Sequence, residues 1–102
     1  MEIIRGTTPT IQFTFKQIDP SELYKAFLVI KQGYTVIEKT IEAATISEGI
    51  VSFVLTQKDT LALKCGVKGC ITLDWLTNSG TRGRSAECTF TVGNSGKDKV
   101  IV

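Results

Sequence analysis

A long β-hairpin, spanning residues 69–92, is the feature that most constrains the fold of this chain. Its first half alternates apolar and polar residues with the period of two that a strand shows when its faces meet different surroundings. Turn-forming residues follow at 78–80, and the second half alternates again. Gly83, just past the turn, predicts a bulge. The inward-facing residues are then Ile71, Leu73, Trp75, Ala86, Cys88, Phe90 and Val92.

Further strands are predicted where alternating or β-branched segments lie between connections rich in Gly, Pro and Ser. A short loop at Gly33 joins two of them as a second hairpin, and the charged residues of its returning strand are typical of a sheet edge. Residues 42–49 fit either a helical turn or a short strand. Besides the long hairpin, the predicted strands are residues 2–5, 10–15, 24–32, 35–41 and 50–55.

One short helix is predicted near residues 57–64. Thr56 and Asp59 have the spacing of a capping box, in which each side chain accepts a hydrogen bond from the backbone N–H of the other residue. The segment has at most about two turns, which is too short for a helix to be stable alone in water. We therefore expect it to close one end of the fold through Leu61 and Leu63.

Together these elements predict an all-β fold: an immunoglobulin-like antiparallel β-sandwich of six to eight strands with one short helix. With 102 residues and 42% apolar side chains, the chain is expected to form a single β-sandwich domain over residues 1–102. A polar linker at 93–99 leads to an apolar C-terminal end at 100–102. That end either adds a last strand or reaches another subunit.

The composition gives little support for reaction chemistry. Histidine, the commonest general base and a frequent zinc ligand, is absent, and three cysteines cannot form a closed set of disulfides. Cys70 and Cys88 fall on the two hairpin strands and could be neighbours, but we expect them and Cys65 to be buried, unreactive thiols. We therefore predict that the chain is not an enzyme and has no catalytic residue, cofactor or metal site.

The candidate partner-contact residues form two groups. The first surrounds the turn of the long hairpin, where arginine side chains can make bidentate contacts with a carboxylate or phosphate. The simpler alternative is that these are solvated turn residues, with the carboxylate paired to one of the arginines across the hairpin. The second group is the apolar end. The two groups are Asp74, Arg82 and Arg84, and Val100, Ile101 and Val102.

Two other kinds of binding would depend on exposed aromatic side chains or on basic side chains. A sugar-binding face would need exposed aromatics, but the alternation places Trp75 in the core, and Tyr24 and Tyr34 are also expected to pack. Nucleic-acid binding could use the two arginines with Lys64 and Lys68. A net charge of +2 is modest for that role, because non-specific affinity grows with the number of basic contacts.

Several short motifs resemble the N-terminal domain of phage baseplate upper proteins, which belong to phages and prophages of Gram-positive bacteria. The similarity covers roughly residues 5–92, and the family continues into long C-terminal regions after this domain. It implies an immunoglobulin-like sandwich, a place in a virion and no catalytic residue. The matching motifs are Arg5-Gly-Thr-Thr-Pro9 with Ile11, Phe13 and Phe15, then 28–32, 36–39, 55–61 and 74–82.

The resemblance implies a non-enzymatic virion structural protein of the baseplate, tail or head–tail region that acts through protein–protein assembly. The alternative is a carbohydrate- or cell-wall-binding β-sandwich module. We expect the partners to be other virion proteins and a second copy of the chain, forming a homo-oligomer, with no membrane, nucleic-acid or small-molecule partner. The expected location is the bacterial host cytoplasm during synthesis and then the virion.

Overall fold

A computed structural model describes residues 1–16, 18–97 and 99–101. Over these residues the chain forms nine strands, one α-helix and two single 3-10 turns. The helix α1 is Gln57–Leu61, and the 3-10 turns are Pro20–Glu22 and Ile41–Ala43. The strands are β1 (Glu2–Ile4), β2 (Thr10–Thr14), β3 (Leu23–Gln32), β4 (Thr35–Thr40), β5 (Ala44–Ser47), β6 (Ile50–Val54), β7 (Gly69–Thr77), β8 (Arg82–Arg84) and β9 (Cys88–Gly93).

The strands pair into two sheets in the order of an immunoglobulin domain. The larger sheet has the order β1-β9-β7-β3-β4, with β8 on β7, and the smaller has the order β2-β6-β5. β4, β3, β7 and β9 correspond to strands C′, C, F and G, and β2, β6 and β5 to strands B, E and D. The predicted immunoglobulin-like β-sandwich is therefore confirmed. Two details differ: the described residues form nine strands, and the β1–β9 pair is parallel.

The strand pairing also shows which strand ends the larger sheet and what the segment after β4 forms. β4 ends the larger sheet, as its charged residues predicted. The ambiguous residues 42–49 contain both predicted alternatives, because the end of the 3-10 turn leads directly into β5. Glu48 and Gly49, both at positive φ, then turn the chain into β6. A two-residue turn of this kind matches the twist of a hairpin.

The core lies between the two sheets and consists of alternate residues from both. Fully burying a Val, Leu, Ile or Phe side chain stabilises the fold by about 1.5–3 kcal/mol, so these rows hold the sandwich together. Leu63, which follows α1, also enters this core, as predicted, whereas Leu61 is only half-buried. The core residues with no exposed area are Leu28 and Ile30 of β3, Val51 and Phe53 of β6, Leu55, and Leu73 of β7.

The long hairpin is present but changes partners part-way. β8 pairs with residues 74–76 of β7, Ser85 N–H still donates to the Leu73 carbonyl, residues 86–87 belong to no strand, and β9 then pairs with residues 69–71. The predicted bulge at Gly83 is wrong, because the β7–β8 register runs without a shift and places Gly83 opposite Trp75. The hairpin therefore needs a glycine because the indole ring covers this position: a Cβ would meet ring atoms at 2.4 Å.

Trp75 lies at the border of the core rather than inside it. Its side chain is half-buried and packs against the core cluster. The indole makes an edge-to-face contact with Phe15, with 5.0 Å between the ring centroids. The expected alternation is correct, but the core thins toward this end of β7 and leaves part of the ring accessible.

The helix end of the sandwich is fixed by polar contacts. The predicted capping box is present, because Thr56 Oγ1 accepts from Asp59 N–H at 3.1 Å and Asp59 Oδ2 accepts from Thr56 N–H at 2.9 Å. The same Asp59 carboxylate pairs with Lys39 Nζ of β4 at 2.8 Å. Thr60, fully buried, accepts from Gly6 N–H and donates to the Thr7 carbonyl. Among the described residues, no helix has the length and hydropathy needed to cross a membrane.

A buried glutamine joins the end of β3 to the loop after α1. Gln32 Oε1 accepts from the backbone N–H of Lys64 at 2.6 Å, and Gln32 Nε2 donates to the carbonyls of Lys64 and Val67, each at 2.8 Å. Because the Gln32 side chain is buried, these bonds replace the hydration that its amide group would otherwise need. Sequence reasoning did not single out Gln32.

The two tyrosines do not pack as predicted. Tyr34 is fully exposed, at 107% of its reference area, because it occupies the tip of the β3–β4 hairpin beside Gly33 at positive φ. Tyr24 is 59% exposed. An irregularity in the β3–β7 register between Leu23 and Lys25 interrupts the alternation at that residue. The strand period predicts burial only where the ladder is regular, which explains the error.

Candidate partner-binding face

Strand register gathers six side chains on the outer surface of the larger sheet. One row across the sheet is Phe27, Asp74 and Arg84, and the next is Lys25, Leu76 and Arg82. Residues two apart on a strand share a face, so both rows point the same way. We call this surface the front face; it comprises Lys25, Phe27, Asp74, Leu76, Arg82 and Arg84.

The front face has apolar side chains in its middle and charges around them. Phe27 and Leu76 are half-buried on adjacent strands, whereas Lys25 and the two arginines are exposed. Three cationic side chains and one carboxylate give the face a net positive charge. Apolar centres with polar rims are characteristic of protein–protein contact surfaces.

Asp74 and Arg84 form an ion pair across β7 and β8. Arg84 Nε lies 3.5 Å from Asp74 Oδ1, and the two side chains are 63% and 32% exposed respectively. The predicted cross-hairpin pairing of Asp74 is confirmed, with Arg84 as the partner. Because exposed pairs contribute at most about 1 kcal/mol, the pair orients the guanidinium more than it stabilises the fold.

Three shallow depressions adjoin one another on this face. A depression of about 300 Å³ is lined by Lys25, Phe27, Asp74, Trp75, Leu76 and Arg82. A second, of about 290 Å³, lies between Asp74 and the residues of β8. A third, of about 230 Å³, extends from Phe27 toward residues 40–42. The surface can thus receive several side chains of a partner along one line.

Glu42 bounds the third depression with a second carboxylate. A hydrogen bond from the Thr40 side chain, with a further bond from its own backbone N–H, lowers the pKa of Glu42 below the ordinary value. The carboxylate therefore stays ionised at neutral pH. The line of depressions has cationic residues at the β8 end and an anionic residue at the β4 end.

The apolar C-terminal group lies elsewhere. Val100 lines an open depression with residues 54–58 and Thr8. The Ile101 backbone N–H donates to Gln57 Oε1 at 2.7 Å, and Gln57 Nε2 donates to the Ile101 carbonyl at 3.1 Å. Of the two expected arrangements, residues 99–101 do not form a strand; they lie against α1 of their own chain. Val102 falls outside the described residues.

The cysteines do not form the buried set that was expected. Cys65 and Cys88 are exposed, and only Cys70 is half-buried. Cys70 lies opposite Thr89 and Cys88 opposite Ile71, so the two side chains point to different faces of the sheet. A hydrogen bond with the Glu87 side chain, and then burial, raise the pKa of the Cys70 thiol. In the part of the chain that the structure describes, no three His, Cys, Asp or Glu side chains gather as metal ligands would.

Sequence reasoning found only the β7–β8 half of the front face. Lys25 and Phe27 were missed because they join the hairpin residues only through the register between β3 and β7. Leu76 was missed although it lies opposite Arg82 within the hairpin itself. The available signal was the alternation of Lys25, Phe27 and Val29, apolar and basic residues on the face of β3 opposite to its buried row. That pattern indicates that this face of β3 is covered or makes contacts, but it does not predict which residues of other strands lie beside it.

No family model and no curated protein matches this chain. A solved structure of murine CRIg is similar over 93% of this chain and 91% of the CRIg chain, with 11% sequence identity and a TM-score of 0.45. The fold class itself rests on the strand order and pairing described above.

Proposed function

We propose that this chain is a non-enzymatic structural protein of a phage or prophage virion. It acts through protein–protein assembly in the baseplate, tail or head–tail region. The motifs of residues 5–92 that resemble the N-terminal domain of phage baseplate upper proteins support this assignment. Its location under this proposal is the host cytoplasm during synthesis and the virion after assembly.

The observation that carries the proposal is the front face. Phe27 and Leu76 are half-buried apolar side chains at the outer surface of the larger sheet, and charged side chains surround them. A partner that fits presents apolar side chains to these two residues and carboxylates to Arg82 and Lys25. Other virion subunits or a second copy of the chain can supply such a surface.

The direct test is the composition of virions purified from the host strain that encodes the chain. Mass spectrometry of the density-purified particles is expected to find peptides of this chain alongside capsid and tail proteins. Their absence from particles that contain those proteins would refute the virion assignment. A tagged copy carrying Phe27→Asp and Leu76→Asp is expected to remain folded and soluble but to be left out of the particles.

A matched control separates the front face from a general effect of added charge. Thr45 and Ser47 lie on the outer surface of β5 in the smaller sheet, and both are exposed. A tagged copy with Thr45→Asp and Ser47→Asp is expected to enter virions as the unchanged chain does. Equal incorporation of the two variants would show that the front face is not the contact.

Exposed tyrosines favour a second candidate, a carbohydrate- or cell-wall-binding module. Tyr24 and Tyr34 present aromatic faces to solvent, and Lys25 Nζ lies 5.6 Å from the Tyr24 ring centroid. However, the eight β3 residues from Lys25 to Gln32 lie between the two tyrosines and span about 26 Å, so the tyrosines cannot stack on one sugar unit. Titration with solubilised cell-wall polysaccharide, followed by tyrosine fluorescence in the unchanged chain and in Tyr34→Ala, tests this candidate. A saturable change lost in the variant would support it.

A further inference from the structure

The edge of β2 is unpaired over the whole strand. β2 pairs with β6 alone, and the flanking bonds from Phe15 N–H to the Gly49 carbonyl and from Leu55 N–H to the Pro9 carbonyl fix which residues face that partner. Because backbone groups alternate in direction along an antiparallel strand, the N–H and C=O groups of residues 10, 12 and 14 point away from β6. Within the described residues, no hydrogen bond engages them.

β2 contains no charged side chain, unlike β1, β4 and β8. Charged side chains on an edge strand discourage pairing with another chain. β1 begins at Glu2, β4 contains Glu38 and Lys39, β8 contains two arginines, and the four-residue β5 lies between Glu42 and Glu48. By contrast, no charged residue occurs from Gly6 to Phe15. The immunoglobulin order has a strand A at this position beside strand B, and here β1 pairs with β9 instead.

An aromatic cleft opens beside the same edge. It has a volume of about 260 Å³ and lies between β2 and the hairpin, where β8 gives way to residues 85–87. None of its lining side chains is charged, and the indole N–H of Trp75 is buried without a hydrogen-bond partner. The side chains around the cleft are Phe13, Phe15, Leu73, Trp75, Ser85 and Ala86.

We propose that the β2 edge binds one extended strand from a different protein subunit, which completes the smaller sheet and inserts an aromatic or branched side chain into the cleft. Three successive outward N–H and C=O pairs have the spacing that another strand can engage together in one ladder. The uncharged edge and cleft select an uncharged segment of about five residues with an apolar side chain at alternate positions. The cleft is smaller than the usual small-molecule site, which starts at about 300 Å³.

This inference goes beyond the proposed function, because it depends on β2 and the cleft and not on a virion origin or on the front face. A peptide with the required chemistry is residues 8–16 of the chain itself, Thr-Pro-Thr-Ile-Gln-Phe-Thr-Phe-Lys, which alternates and carries one solubilising lysine. It is titrated into the ¹⁵N-labelled full chain. Hydrogen exchange of the amides of Thr10, Gln12 and Thr14 is expected to slow by about tenfold or more at saturation, with a change in Trp75 fluorescence.

Two variants at Gln12 isolate the contribution of the backbone N–H to peptide binding. Gln12→Pro removes an N–H that faces the free edge and makes no bond to β6, whereas Gln12→Ala removes the side chain but keeps that N–H. The proline variant is expected to bind the peptide about tenfold more weakly, and the alanine variant within about twofold of the unchanged chain. If circular dichroism shows that the proline variant is unfolded, Gln12→Lys replaces it. The matched control is then Thr45→Lys, because Thr45 lies in the same row across the smaller sheet as Gln12 but on the opposite edge of that sheet.

Several results would overturn the proposal. One is the absence of any amide protection or Trp75 change at millimolar peptide. Another is protection centred on β4 or β1 instead of β2. A third is equal binding by a peptide of the same composition whose alternation has been removed. Protection of the same amides in the chain alone, with a dimer seen by light scattering, would assign the edge to a second copy and not to a different subunit.

Discussion

Gly83 lies directly across the strand pair from Trp75, and the indole ring rests on it so closely that a Cβ at this position would come within 2.4 Å of two ring carbons. The backbone of β8 and the ring therefore share a contact that no other residue type permits. The contact fixes the ring at the border of the core, where it also makes the edge-to-face contact with Phe15.

Gly83→Ala is expected to lower the free energy of unfolding by about 1–3 kcal/mol, because the added methyl forces the indole from its position or moves β8 away from β7. Urea unfolding followed by Trp75 fluorescence measures the loss. Gly96→Ala is the control, since a Cβ there has open space around it, and its stability should match that of the unchanged chain. Equal stability of Gly83→Ala would contradict the close approach.

The contacts of Asp59 predict a loss of stability in acid. Burial opposes ionisation of this carboxyl group, but hydrogen bonds from Lys39 and from Thr56 outweigh it and hold the pKa below the ordinary value of 3.8. A group whose pKa is lowered in the folded state stabilises the fold above its unfolded pKa and loses that contribution as the pH falls through the folded pKa. The free energy of unfolding should therefore decrease below about pH 4.

Asp59→Asn tests directly whether Asp59 causes the loss of stability in acid. At pH 7 the variant is expected to be less stable by about 1 kcal/mol, because the ion pair with Lys39 is lost and the capping bond is weakened. Its stability should also depend less on pH between 5 and 3 than that of the unchanged chain, since one of the perturbed carboxylates is gone. Urea titrations at fixed pH values supply both measurements, and parallel pH profiles for the two proteins would exclude Asp59 as the source.

Gln32→Leu is expected to destabilise the chain by about 1–3 kcal/mol, because the backbone N–H of Lys64 and the carbonyls of Lys64 and Val67 lose their partner at a part-buried place. Amide exchange of residues 62–68 should accelerate more than exchange in β7. Gln12→Ala, at an exposed glutamine of β2, serves as the comparison and should change stability by less than about 0.5 kcal/mol. A small effect of Gln32→Leu would mean that the loop finds other partners.

The ion pair between Asp74 and Arg84 should contribute little to stability. A double-mutant cycle with Asp74→Asn and Arg84→Gln is expected to give a coupling energy below about 1 kcal/mol that decreases further in 0.5 M salt. The same substitutions change the charge of the front face, so their effect on partner binding should exceed their effect on folding. A coupling energy well above this limit, insensitive to salt, would indicate a desolvated pair instead.

Much of the secondary structure follows from local patterns in the chain. The strands of both hairpins, the capping box at Thr56 and Asp59 and the exposed character of β4 depend on residues that are close in sequence, so period and capping chemistry predict them. Trp75 and Gly83 show the limit of this reasoning. The turn between them predicts a hairpin, but only their opposite positions in the ladder explain why one is a glycine.

The candidate site was less predictable than the fold. Asp74, Arg82 and Arg84 could be found because a single hairpin brings them together. Phe27 joins Asp74 through pairing between strands more than forty residues apart, and nothing local fixes how far one such strand slides against another. The positions of Val100 and Ile101 were equally open, because the side-chain amide of Gln57 binds the Ile101 backbone whatever side chain that residue carries.

The sequence by itself therefore determined the fold class, most of the elements and most of the rows of core residues, because alternation and capping are properties of neighbouring residues. Tertiary structure alone decided which outward rows lie side by side on the front face. It also decided that β1 pairs with β9 and leaves the edge of β2 free. These features depend on long-range register and on the order of strands in the sheets, and they are set by the packing of the whole core rather than by any one segment.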